Sequence, residues 1–263
     1  MNRIISATAI LILLAAMGCN REENDITGAP SESSITLTGD VRTPEGKPFA
    51  DVAVNVDFVY RSMLGTLTRH KAKGKTDKNG RYRIFFEPTE SDDVAQDPLA
   101  SYTFSFDLSK IPADSHILPD DKKIDFRLSA TGRKGKTINC DITVPRKKYV
   151  EVTIINNGVT VEEGNYDIRN IFSYGSGWAD VTGLADMTSE MMAFEPVEIA
   201  ESGRTSVMLP CAVGVTNSIT PVYRGNAEVS YGWGRAVSDT VSIVPTDEPS
   251  APVTFEYRRP ERF

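Results

Sequence analysis

From Ile35 to Ile154 apolar residues recur at every second position, in short runs broken by glycine, proline and asparagine. Period two sends alternate side chains to opposite faces of a strand, so one face can bury while the other meets water. Ile35, Leu37 and Val41 begin the series, followed by Val52, Val54, Val56 and Phe58. Tyr82, Ile84 and Phe86 repeat it, as do Tyr102, Phe104 and Phe106, then Ile124, Phe126 and Leu128. Ile138, Cys140, Ile142 and Val144 come next, and Val150, Val152 and Ile154 close the set. None of these segments has helical period, and short strands punctuated this way predict a β-sandwich.

The turns have their own chemistry. Asp77-Lys78-Asn79-Gly80 offers the Asn-Gly pair that supplies positive φ in a tight hairpin. Pro44-Glu45-Gly46-Lys47-Pro48 is a second turn, with proline fixing φ and glycine accepting the left-handed region. Gly39, Val41, Gly46, Pro48, Val52, Val54, Thr76, Asp77, Asn79, Gly80 and Tyr82 together match a pattern of G-x-V, a G-x-P turn, V-x-V and T-D-x-N-G-x-Y. On those residues the stretch resembles the carboxypeptidase-regulatory-like, transthyretin-like sandwich. That resemblance implies a structural or binding module with no catalytic residues to carry over. Residues 57–74 depart from the pattern by being longer and more basic, with Arg61, Arg69, His70, Lys71 and Lys73, which extends the hairpin.

Asn156-Asn157-Gly158 reads as a domain boundary, giving a first sandwich over residues 35–157 and a second β-rich sandwich over 158–263. In the second, residues 166–172 read as a strand, and 194–200 with 204–215 as a hairpin around Glu201-Ser202-Gly203. Residues 227–231, 236–244 and 253–257 complete the strands, while Leu184, Met187 and Met191 have the spacing of a short helix over 183–193. An immunoglobulin-like sandwich is the expectation, without a motif behind it. The fold class is therefore all-β, with two β-sandwich domains.

The first nineteen residues are an address. Arg3 precedes the uncharged apolar run 4–17, which falls short of the roughly 20 residues a bilayer span needs. The run ends in Ala16-Met17-Gly18-Cys19. This anatomy is that of a secretory signal, and small residues before a cysteine resemble a bacterial lipoprotein signal. The resemblance implies removal of residues 1–18 and lipidation of Cys19, with several acyl chains anchoring where one would not. Asn20-Arg21-Glu22-Glu23-Asn24-Asp25 resembles the export signal of Bacteroidetes surface lipoproteins, which implies display outside the outer membrane. Residues 19–34 are a polar linker carrying Gly28 and Pro30.

Composition narrows the chemistry. A net charge of −7 and a pI near 5.0 argue against a nucleic-acid partner. Two histidines and three cysteines are too few for a disulfide scaffold and point away from a His/Cys metal site. No G-x-S-x-G elbow is present, and the sequence assigns no catalytic residue, cofactor or metal. Asp77 could open a calcium loop, but Pro88 stands where the closing carboxylate belongs. Acidic residues cluster at Glu90, Asp92, Asp93 and Asp97, which reads as a solvated loop. His70 and His116 read as surface-loop residues, and Cys140 and Cys211 as buried thiols. Asp239-Thr240-Val241 matches a short Bacteroidetes O-glycosylation pattern.

Tyr174, Trp178, Tyr231 and Trp233 lie beside glycines and include both tryptophans. Such rings stack on sugars or anchor a protein partner; the plainer reading is a core with glycine bulges. The sequence thus points to a non-catalytic, lipid-anchored surface protein acting as an accessory or adhesive binding module. Its partners are the membrane, through Cys19, and a protein or glycan. The alternatives are a glycan-binding lipoprotein of a polysaccharide-uptake system and a structural subunit of a surface fibre.

Overall fold

The computed structural model describes residues 29–63, 65–89, 92, 100–130, 133–174, 190–225 and 235–260. The chain is all-β, with no helix among the described residues. In chain order the strands are β1 (Ile35–Arg42), β2 (Ala53–Ser62), β3 (Gly65–Lys75), β4 (Arg81–Phe86), β5 (Ala100–Asp107), β6 (Lys123–Ser129), β7 (Thr137–Asn139) and β8 (Ile142–Thr143). They continue as β9 (Lys147–Asn156), β10 (Asn165–Ser173), β11 (Glu190–Val197), β12 (Gly203–Ala212), β13 (Asn217–Gly225), β14 (Arg235–Ala236), β15 (Val241–Ile243) and β16 (Val253–Glu256).

Four sheets result. In the first sandwich, β1 pairs antiparallel with β4 and parallel with β7 and β8, and the facing sheet runs β3-β2-β5-β6. Register explains the core between them: Val54, Val56 and Phe58 of β2 stand opposite Phe106, Phe104 and Tyr102 of β5, all six buried. Branched side chains facing rings across a pair are a strong sheet contact. The rings meet edge to face, with centroids 5.8 Å apart for Phe106–Phe126 and 4.9 Å for Phe86–Tyr102.

In the second sandwich, one sheet runs β11-β10-β13-β14 with β15 also on β13, and the other runs β12-β9-β16. Val150, Val152, Ile168, Leu209, Ile219 and Phe255 share its core.

Three sequence expectations change here. The domain boundary moves forward: β9, counted with the first sandwich, pairs with β12 and β16 of the second. Period two shows that Val150, Val152 and Ile154 line a buried face but not which sheet they join. Asn156-Asn157-Gly158 is instead a turn within the second sandwich, held by the Asn156 amide, which donates to the carbonyls of Val159, Ala200 and Glu201. Strands β11 and β12 are not a hairpin; β11 pairs with β10, β12 with β9, and the chain crosses between sheets at residues 198–202. The helix over 183–193 is replaced by strand from Glu190 onward, and 183–189 lie outside the described residues. The strand read over 227–231 also lies outside them.

Candidate functional site

The residues carrying the family resemblance prove to be structural. Thr76 Oγ donates to the Phe49 carbonyl at 2.7 Å and accepts from Val52 N–H at 3.0 Å, tying the end of β3 to the start of β2. Asp77 accepts the N–H groups of Asn79 at 2.8 Å and Arg81 at 2.9 Å. Those backbone donors, Arg81 first, hold its carboxyl below the ordinary value. Gly80 has φ +74°, and a Cβ there would stand 2.6 Å from the Val41 carbonyl. Buried Tyr82 crosses β1 at Gly39 and donates its hydroxyl to the Cys140 carbonyl at 2.5 Å. The pattern is thus a clamp on the turn that carries the chain from β3 in one sheet to β4 in the facing one, rather than the tip of a paired hairpin, and its Asp77 is engaged as a turn carboxylate.

Tyr174, read as a stacking ring, is 3% exposed and donates its hydroxyl to the Ile117 carbonyl at 3.1 Å. A ring so enclosed has no face to offer a sugar, because it packs in the core of the first sandwich. Trp178, Tyr231, Trp233 and Cys19 lie outside the described residues. His116 is not a surface-loop residue; it is buried, packed edge-on against Phe49 with centroids 5.2 Å apart. Desolvation holds its pKa below 6.5. His70 is exposed, with Nδ1 3.0 Å from Asp57. Cys140 and Cys211 are buried, and burial pushes both thiols up to about 12. Of the acidic loop, Asp92 is described, and it is buried rather than solvated. It pairs with Lys71 Nζ at 2.6 Å and Arg69 at 3.3 Å. Among the described residues no three His, Cys, Asp or Glu side chains converge in a metal-binding group.

Two features escaped the sequence reading. The first is the junction between sandwiches. Phe172 and Tyr174 leave the end of β10 and, with Ala212 of β12, join the first core. Arg146, just before β9, forks onto Asp247 at 2.7 and 2.9 Å and reaches Glu45 of the β1–β2 turn at 3.0 Å. Backbone bonds seal the contact: Val213 N–H donates to Arg146, and Thr143 N–H to Tyr174. In one sequence Arg146 looks like any surface arginine, so no signal marks it.

The second feature is an open cleft of about 810 Å³ in the second sandwich, beside the turn leading into β10 and the end of β11. Its walls include Val161, Pro196 and Ile199 together with Glu162, Glu163 and Glu198. Tyr166 and Tyr223 fix the wall by donating to the carbonyls of Glu162 at 2.9 Å and Glu163 at 3.0 Å. Asp167 also lines it, against Arg224; desolvation raises its pKa, opposed by that arginine.

The class defined by this fold is a tandem of all-β sandwiches. No family model and no curated protein matches the sequence. Among solved structures, the shaft pilin SpaA of Lactobacillus rhamnosus GG is 14% identical, with 89% of this chain and 99% of that one covered and a TM-score of 0.30. The tip fimbrial protein Mfa3 of Porphyromonas gingivalis is 9% identical over 83% of this chain and 84% of that one, at a TM-score of 0.22. The fimbrial anchor protein Mfa2 of the same organism is 11% identical over 80% and 83%, also at 0.22. Superpositions this loose carry no functional weight.

Proposed function

We propose that this chain is a non-catalytic, lipid-anchored protein of the outer cell surface, acting as an accessory or adhesive binding module. The observation that carries the reading is the junction: side chains of the second sandwich complete the core of the first, and Arg146 bolts them together. Such a unit is a stiff spacer. Placed on the polar linker 19–34 behind acylated Cys19, it holds its far end away from the membrane. The buried thiols, protonated at neutral pH, support a role without nucleophilic chemistry.

The test is fractionation with shaving of intact cells by protease. Cys19→Ala should move the protein from the membrane fraction to the soluble one. The parent should be cut on intact cells. Retention of Cys19→Ala in the membrane, or full protection of the parent, would sink the reading.

A second reading, a structural subunit of a surface fibre, is favoured by the charge distribution. Residues 35–146 carry 18 basic and 16 acidic side chains, whereas residues 147–263 carry 9 and 16. One half is near neutral and the other strongly acidic, so copies set head to tail repel less than copies set tail to tail.

A further inference from the structure

Two Asn-Gly pairs occur in the sequence, Asn79-Gly80 and Asn157-Gly158. In such a pair the glycine nitrogen can attack the asparagine side-chain amide, because glycine sets no side chain against the approach and leaves the backbone free to turn. Asparagine is thermolabile by this route. The dipeptide is the same at both places, so a difference between them comes from the fold. At Asn79-Gly80 the fold opposes attack. Asn79 N–H donates to Asp77 Oδ1 at 2.8 Å, and the attacking nitrogen itself, Gly80 N–H, donates to the Asp77 carbonyl at 2.9 Å. The Gly80 carbonyl accepts from Val41 N–H at 2.8 Å. Gly80 is also buried, and an atom at its Cβ position would stand 2.6 Å from the Val41 carbonyl and 2.9 Å from Pro48. Its nitrogen can move only if the turn opens.

Asn157-Gly158, in the turn after β9, has the opposite surroundings. Both residues are exposed. The Gly158 N–H donates no hydrogen bond among the described residues, and no described atom lies within 4 Å of its Cβ position. The pair is nevertheless bracketed by a firm tie. Asn156 is buried; its Oδ1 accepts Val159 N–H at 2.8 Å and its Nδ2 donates to the Val159 carbonyl at 2.8 Å. The reacting link is thus open to water while both of its ends are held.

We propose that Asn157 is a self-modifying site of the folded protein, converting to aspartate and isoaspartate while Asn79 is preserved. The Gly158 nitrogen gives up its proton to solvent and bonds to Asn157 Cγ; the Cγ–Nδ2 bond breaks and ammonia leaves. The cyclic imide takes up one water and opens at either carbonyl. Opening at one restores the normal backbone with an aspartate side chain; opening at the other routes the backbone through Cγ as isoaspartate. The balance is amide plus water to carboxylate plus ammonium, with nothing oxidised or reduced. The new carboxylate falls in the more acidic half of the chain. Isoaspartate also puts an extra backbone carbon into a link whose ends Asn156 holds, so the Val159 tie loosens. The same Asn156 amide holds the carbonyls of Ala200 at 2.9 Å and Glu201 at 3.0 Å, which carries the change to the crossing between β11 and β12.

The experiment incubates the purified full-length protein in mildly alkaline buffer and follows both asparagines by peptide mapping and mass spectrometry. In the native protein Asn157 should convert roughly tenfold or more faster than Asn79, the factor set by the backbone hydrogen bond that Gly80 must give up. In concentrated urea the two rates should become similar, since the dipeptides are the same. An acidic isoform should grow with time on isoelectric focusing, and Asn157→Gln should remove it. Hydrogen exchange at Val159 N–H should quicken in the isoaspartate fraction. Native Asn79 converting as fast as Asn157 overturns the proposal, and so does an Asn157 that converts in urea but not in the native protein. A rate difference that persists in urea would place the cause in the local sequence and overturn the account from the fold.

Discussion

Gly39 and Tyr82 show how one residue's smallness depends on another's reach. A Cβ on Gly39 would stand 2.1 Å from the Cys140 carbonyl and 2.8 Å from the Tyr82 hydroxyl. The glycine is therefore a close-approach position, and the tyrosine is the strap laid across it. Burial also lifts the Tyr82 phenol well above its ordinary value, which keeps the hydroxyl a donor at any working pH. Tyr82→Phe should keep the ring packing and lose the bond, costing about 1–2 kcal/mol for an unsatisfied buried carbonyl. Gly39→Ala forces backbone apart and should cost about 3 kcal/mol. Urea unfolding of both variants checks the order; a Gly39→Ala variant as stable as the parent would refute the close-approach account. The same residues mark what was legible. Gly39, Thr76, Asp77, Gly80 and Tyr82 stood out because their chemistry is local to turns and crossings. Tyr174 keeps two readings in the sequence, stacking ring or core residue, because an aromatic beside glycines looks the same whether its ring faces solvent or a neighbouring core.

At the scale of elements, alternation located β1, β2, β4, β5, β6 and β9, since burying one face of a sheet imposes period two directly. It does not assign partners: β9 joins β12 and β16 in the second sandwich, and β11 pairs with β10 rather than with β12. It also missed β3 as a strand of its own, for a physical reason. Val56 pairs with Ala72 and Asp57 with His70, so Lys71 is an extra residue in a bulge. The bulge shifts the phase of the strand, and its inward positions include Arg69, whose guanidinium lies 4.8 Å over the Phe58 ring. Lys71 and Asp92 are almost wholly buried against each other. Removing one partner strands the other charge, so Lys71→Met should cost about 3 kcal/mol even with Arg69 still beside Asp92. Lys71→Met with Asp92→Leu should recover most of that loss, because two apolar groups demand no desolvation of charge. Thermal unfolding of the single and double variants is the check, and a double variant weaker than the single would show that the pair itself supplies net stability.

At the scale of the whole molecule, stiffness rests on an apolar plug and an ionic bolt that respond differently to solvent. The plug is Phe172 and Tyr174. Tyr174→Ala should cost about 3 kcal/mol through the lost ring, and a scanning calorimeter should then resolve two transitions where the parent shows one. The bolt responds to pH. Hydrogen bonds from Arg146 hold the Asp247 carboxyl below its ordinary 3.8. For Glu45 desolvation pushes upward, but hydrogen bonds from Thr43 and Arg146 outweigh it and leave the carboxyl below 4.5. A carboxyl whose pKa falls on folding contributes stability above its unfolded value, and that contribution is lost as pH drops through the lower folded value. The bolt should therefore hold at pH 7, begin to weaken below about pH 4.5 and release at still lower pH. Asp167 has the opposite sign. Burial raises its pKa above 3.8, so the penalty of its buried charge on the second sandwich fades as pH falls toward 3.8. Acid should accordingly loosen the joint before it unfolds the second sandwich. Small-angle scattering from pH 7 to pH 3 should show the particle broadening while the strand signal in circular dichroism persists. Arg146→Ala should be broader already at pH 7 and nearly flat across the range. If the parent keeps one scattering profile throughout, or Arg146→Ala follows the parent's pH dependence, the ion cluster does not set the joint and the apolar plug alone must.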